Sequence, residues 1–189
     1  MTIANQITIA RILLIPVFVL FYVYFGRSVE TGDPLEWLRI AAIGVFILAS
    51  LTDGIDGYVA RHWNQRSRLG AILDPIADKG LLLTAILTLS FGHGIPSFPL
   101  WFPVVVLGRD ALILIGCGLL FMHDQKLDVR PSCLGKISTA AQMVAIAWIM
   151  LPLPHYLVSV YIAGMFTLLS GVDYLFRGIC QLRHHENKH

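Results

Sequence analysis

Apolar residues along this chain fall into six long runs separated by short polar or turn-forming breaks. The runs cover residues 7–25, 40–59, 71–91, 100–121, 136–151 and 156–176. Each approaches the roughly 20 apolar residues that carry a helix across a bilayer. The pattern predicts an all-α polytopic membrane protein with six transmembrane helices, forming one domain over residues 1–189. The breaks carry turn chemistry: Thr31-Gly32-Asp33-Pro34, Gly92-His93-Gly94-Ile95-Pro96 and Pro152-Leu153-Pro154. Pro16 and Pro75 fall inside runs, where neighbouring groups in a membrane bundle satisfy the freed carbonyl.

Composition agrees with the pattern. The 189 residues are 56% hydrophobic and 14% charged, against about 25% charged in a soluble domain. The mean hydropathy is +0.70. The first run has no small-x-small cleavage signal before Gly26, so it reads as an uncleaved span. Cys117, Cys133 and Cys180 lack Cys-x-x-Cys spacing and read as buried thiols, outside any disulfide framework. No nucleic-acid partner is expected.

The charges give an orientation. Ends on the side of the N-terminus carry Arg11, Arg61, Arg66, Arg68, Lys126, Arg130, Lys136, Arg177, Arg183 and Lys188, whereas the opposite ends carry only Arg27 and Arg39. The positive-inside rule puts both termini in the cytoplasm. The polar end of runs two and three is then expected to face the cytoplasm.

Four carboxylates at that end stand out energetically. Asp53 and Asp56 close the second run, and Asp74 and Asp78 open the third. An isolated carboxylate within a bilayer costs at least about 2.5 kcal/mol. On helices, residues three and four apart are surface neighbours, so each run presents two carboxylates, with Gly57, Ala60 and Gly70 leaving room beside them. Hard oxygen donors of this kind suit Mg2+, Mn2+ or Ca2+. Two such ions would hold a diphosphate, with Arg61 pairing with phosphate oxygens. Without further information, an ion pathway through a cation-coupled transporter fits the carboxylates too.

The complete run is Asp53-x2-Asp56-Gly57-x2-Ala60-Arg61-x8-Gly70-x3-Asp74-x3-Asp78. It resembles the signature of the CDP-alcohol phosphotransferase family, with every fixed position filled. Asn5-Gln-Ile-Thr8-Ile-Ala-Arg11 through Pro16, Gly108-Arg109-Asp110, and Gly135-Lys136-Ile-Ser138-Thr139-Ala-Ala-Gln142 are similar to segments of its bacterial phosphatidylglycerophosphate synthases. The resemblance implies a six-helix membrane enzyme of phospholipid biosynthesis using CDP-diacylglycerol, membrane lipids and an alcohol acceptor, with Mg2+ or Mn2+, in two ions, as cofactor. It implies that Asp53, Asp56, Asp74 and Asp78 hold metal, with Asp78 also the catalytic base. Gly57, Ala60, Arg61 and Gly70 would then line the CDP pocket. The acceptor hydroxyl would attack the β-phosphorus and CMP would leave. The fixed glycine, alanine and arginine frame separates this reading from the transporter, which has no need of it.

The acceptor rests on other residues. Glycerol 3-phosphate needs cations, and Arg109 and Lys136 are the candidates, with Arg11 and Arg130 behind them. The alternative for Arg109 is an ion pair with Asp110 or Asp173, and for Lys136 a side chain snorkelling to the interface. Many relatives have Gly-Lys-x-Lys-Thr where this chain has Ser138, and loss of that cation favours phosphatidylglycerol as acceptor, the cardiolipin synthase alternative. Glycerol 3-phosphate is the preferred expectation. Lys79 would neutralise the carboxylates, and the His184, His185 and His189 tail reads as a solvated end. Trp37, Trp63 and Trp101 suit an interfacial belt. Gly44, Gly116, Gly118, Gly164 and Gly171 would permit close helix approach or the contacts of a homodimer.

Overall fold

The protein is described here by a computed structural model covering residues 3–62, 68–92, 96–122 and 133–186, with side chains described for 9–52, 79–92, 96–116 and 133–177. Among the described residues six helices follow in order: α1 Ile3–Glu30, α2 Glu36–His62, α3 Arg68–Phe91, α4 Trp101–Met122, α5 Cys133–Met150 and α6 Tyr156–Glu186. There is no strand among the described residues. The six apolar runs each became a helix, and most helices outrun their apolar stretch. Arg27, Ser28 and Glu30 continue α1: the exposed Arg27 and Glu30 keep their heads in water, and the buried Ser28 bonds back to the helix. Pro16 sits within α1 without ending it.

Three helices carry described stretches long and apolar enough to cross a membrane: Ile9–Glu30, Cys133–Met150 and Tyr156–Arg177. Lys79–Phe91 of α3 is apolar but shorter. Many large apolar side chains point outward, such as Leu13, Ile40, Leu114 and Phe176, each over 60% exposed. That surface is costly in water and suited to lipid. The chain is a membrane protein built of helices.

The helices fall into two compact units, Met1–Ser97 and Phe98–His189. In the first, α1 packs against both α2 and α3. Phe18, Tyr22 and Phe25 of α1 are buried at i, i+4, i+7 spacing, one stripe of a helix. Ala42 and Ala49 of α2 and Ala85 of α3 are fully buried. These small side chains let backbones approach, which drives helix association where lipid removes the hydrophobic force. The Phe18 ring lies 5.9 Å from that of Phe46, tying α1 to α2. The α1–α2 turn is closed by Ser28, whose hydroxyl donates to Phe25 O at 2.7 Å and accepts from Leu35 N at 3.0 Å. Gly32 sits there at φ +82°, where a Cβ would be strained.

In the second unit, α6 packs against α4 and α5. Trp101 of α4 stacks on Tyr161 of α6 at 5.5 Å and fills the space above Gly164, where a Cβ would lie 2.7 Å from the indole. Of the glycines expected to permit close approach, Gly164 does so. Gly44 does not, since a Cβ built there would meet nothing within 4 Å. The side chains around Gly118 and Trp63 lie outside the described residues. Gly164→Ala should push the indole off Tyr161 and cost about 1–3 kcal/mol, the usual penalty of overpacking, read as a lower unfolding temperature in detergent. Trp101→Ala in the same chain should recover the part due to the clash.

Candidate functional site

The four aspartates lie on helical backbone. Asp53 and Asp56 fall in the last turns of α2, and Asp74 and Asp78 in the first turns of α3. Gly57, Ala60 and Arg61 continue α2, and Gly70 lies one turn before Asp74. The three- and four-residue spacings therefore operate on real helices, which places each carboxylate pair on adjacent turns. The side chains of all eight residues lie outside the described residues. As a donor set, four carboxylates fit a hard divalent ion better than zinc or copper. Lys79, next in the chain, is exposed, and Arg11 of α1 is buried to 1% exposure.

The second unit contains a cleft of about 450 Å³ in which both expected acceptor-binding cations take part. Arg109 comes from α4, Lys136 from the first turn of α5, and Tyr174 from α6. Gly135 and Thr139 add small and polar wall, and Ile113 and Met143 add apolar wall. Arg109 is held on two sides. Its Nη1 donates to Asp110 Oδ1 at 2.8 Å, and its Nη2 donates to Ser170 Oγ at 2.9 Å. Its stem rests on Gly171, where a Cβ would lie 3.5 Å from Arg109 Cγ. The side chain is 13% exposed. The ion pair with Asp110, one of the two alternatives for Arg109, thus forms. It coexists with a place in the cleft, because Nε has no hydrogen-bond partner among the described residues. Asp173, the other alternative partner, takes Arg177 instead, at 3.0 Å. Lys136 is exposed at the cleft edge. Arg130 lies outside the described residues.

Position 138 does not belong to this cleft. Ser138 is fully buried and its hydroxyl lies 3.0 Å from Thr167 Oγ1. Gln142 Nε2 donates to Thr167 Oγ1 at 2.9 Å, and Thr167 in turn donates to Ala163 O at 2.7 Å. The hydroxyls and the amide join α5 to α6. The expectation that Ser138 removes a cation from the acceptor site is corrected accordingly: position 138 serves helix packing. Cys133 is a second correction, since it is a free thiol and exposed, not buried.

Sequence reasoning missed Ser170 and Tyr174. They stand one turn apart on α6, more than 60 residues from Arg109 in the chain, and no local motif announces them.

Comparison with known proteins adds a finding of another kind. The family model for CDP-alcohol phosphatidyltransferase matches residues 1–172. The chain is 34% identical, over 92% of its own length and 92% of theirs, to proteins of Escherichia coli, Shigella flexneri and Shigella sonnei, each named CDP-diacylglycerol--glycerol-3-phosphate 3-phosphatidyltransferase. The helical frame, the eight-position aspartate signature on α2 and α3, and this match over most of the chain lead to one conclusion: the chain belongs to the CDP-alcohol phosphatidyltransferase family.

Proposed function

We propose that this chain transfers the phosphatidyl group of CDP-diacylglycerol to glycerol 3-phosphate, releasing CMP and forming phosphatidylglycerophosphate. The observation that carries the acceptor is the pairing of Arg109 and Lys136 on the walls of one cleft. A small dianionic phosphomonoester needs two cations and little volume. Phosphatidylglycerol, the acceptor of the cardiolipin alternative, is a monoanionic diester with two acyl chains. The relatives named for glycerol 3-phosphate support the same choice. The family membership removes the reason to prefer a transporter.

In this reading Asp53, Asp56, Asp74 and Asp78 hold two ions, Mg2+ or Mn2+. Bound there, the ions would neutralise the diphosphate and stabilise the negative charge of departing CMP. Gly57, Ala60 and Gly70 leave space for the cytidine end of the donor, and Arg61 pairs with its phosphate. Asp78 accepts the proton of the attacking hydroxyl, a role that requires hydrogen-bond reach and little change in acidity. The hydroxyl oxygen bonds to the β-phosphorus as the bond from that phosphorus to the CMP oxygen breaks. Arg109 and Lys136 bind the acceptor's own phosphate and so orient the hydroxyl.

The same proposal places all six helices across the bacterial cytoplasmic membrane, with both termini and the active site on the cytoplasmic side, and a homodimer as the working form. The ten-to-two distribution of basic residues supports the orientation. The reaction is tested by offering the purified protein CDP-diacylglycerol with either glycerol 3-phosphate or phosphatidylglycerol in Mg2+ or Mn2+. Phosphatidylglycerophosphate and stoichiometric CMP are expected from the first mixture, and neither product in EDTA. Cardiolipin as the dominant product would overturn the acceptor assignment.

A further inference from the structure

A second cavity, of about 630 Å³, opens between the C-terminal ends of α1 and α3. Thr88 lies ten residues beyond Asp78 on α3, or about 15 Å along a helix axis, so the cavity is remote from the aspartate signature. Arg27, Glu30 and Thr88 form its polar wall, beside the buried Tyr22. None of these three side chains has a hydrogen bond or ion pair among the described residues, and Arg27 and Glu30 do not pair with each other although they stand three apart. Val23, Leu87 and Phe91 form the apolar wall, and Val23 (45% exposed) and Phe91 (63% exposed) continue it onto the outer surface. Gly26 and Gly92 complete the lining, and Gly92 lies close against Thr88 and Tyr22.

We infer that this cavity binds one phospholipid with a zwitterionic, primary-ammonium headgroup. Its chemistry demands both charges. A guanidinium is a natural phosphate partner, but Glu30 in the same wall repels a headgroup whose only charge is negative. A headgroup carrying phosphate and ammonium satisfies both side chains at once. A primary ammonium has three donors, enough to reach the Glu30 carboxylate and the Thr88 hydroxyl together, whereas a quaternary ammonium has none. Val23, Leu87 and Phe91 receive the upper acyl chain. The last turn of α1 suits this task, because a span end is where headgroups lie.

The test uses the purified chain in detergent, titrated with short-chain phosphatidylethanolamine, phosphatidylcholine or phosphatidylglycerol, with retained lipid counted by native mass spectrometry. Phosphatidylethanolamine is neither donor nor acceptor in the proposed reaction, so its retention is independent of the active site and of the acceptor assignment. The wild type should retain it about tenfold better than Arg27→Ala/Glu30→Ala, equivalent to about 1.4 kcal/mol. CMP release by that variant should match wild type, which also establishes that it is folded. Glu30→Gln should shift the preference toward phosphatidylglycerol. The inference is overturned if the double variant retains phosphatidylethanolamine equally, if phosphatidylcholine binds as well as phosphatidylethanolamine, or if Glu30→Gln leaves the order of the three lipids unchanged.

Discussion

Asp56→Asn is expected to lower CMP release at least about a thousandfold, with no recovery at saturating Mg2+ or Mn2+. The magnitude follows from the role. An amide keeps the shape of the carboxylate but loses its charge, and a hard divalent ion draws its affinity from charged oxygen donors. Removing a transition-state charge stabiliser costs about 10²–10³ in rate where a single hydrogen-bond donor is lost, and the loss of a charged ligand should be at least as severe. The assay is turnover at rising metal concentration, with circular dichroism to establish that the six helices remain. Near-normal turnover at high metal would mean that Asp56 contributes only affinity, and the two-ion assignment would fail. Asp53→Asn and Asp74→Asn should behave alike. Asp78→Asn should lose rate while retaining more of its metal dependence, since its proposed task includes the proton.

Arg109→Ala should raise the KM for glycerol 3-phosphate by about thirtyfold or more while leaving the KM for CDP-diacylglycerol within about twofold. Truncating one partner of a partly buried charged contact costs about 2–5 kcal/mol, and 1.4 kcal/mol is a factor of ten. The structure adds a complication with a readable signature. Arg109 also neutralises Asp110 and bonds Ser170, so Ala leaves Asp110 less well compensated and stability should fall too. Arg109→Lys separates the two effects. It preserves the charge but cannot span Asp110 and Ser170 with two nitrogens at once. It should recover stability more fully than KM. If both kinetic constants were unchanged in Arg109→Ala, the acceptor phosphate would have to bind elsewhere, and the cleft reading would be wrong.

Much of the helical frame was legible in the sequence, because the runs of apolar residues and the Gly/Pro breaks respond to the same physics as the fold. Helix ends were less legible. The apolar pattern ends at Phe25, but α1 runs on through Arg27 to Glu30, since hydropathy falls at the interface while backbone hydrogen bonding continues. Ser138 shows how a local motif misleads. It sits two residues after Lys136, about 200° around the helix, so the two could not share a wall. Gln142, one turn further on, marks the same buried face. That phase was available from the spacing alone. The partner on α6 was not, because nothing in the sequence near Ser138 specifies Thr167. The same holds for Ser170 and Tyr174, whose place beside Arg109 and Lys136 depends on how α4, α5 and α6 pack.

The Ser138–Thr167–Gln142 cluster has a consequence for biogenesis. A lone α5 entering the bilayer would expose a primary amide to hydrocarbon, where an unmet polar group costs several kcal/mol. Its partner is on the very next helix, beyond a turn of five residues, 151–155. Insertion of α5 is therefore most favourable when α6 has already emerged, and the two should leave the translocation machinery for lipid together, as a hairpin. The register is fixed at that moment. Sliding one helix past the other by a single turn would break the bonds to Thr167 and leave the amide and hydroxyls facing apolar side chains, so the position of Lys136 relative to Tyr174 is decided during membrane entry, before any substrate arrives.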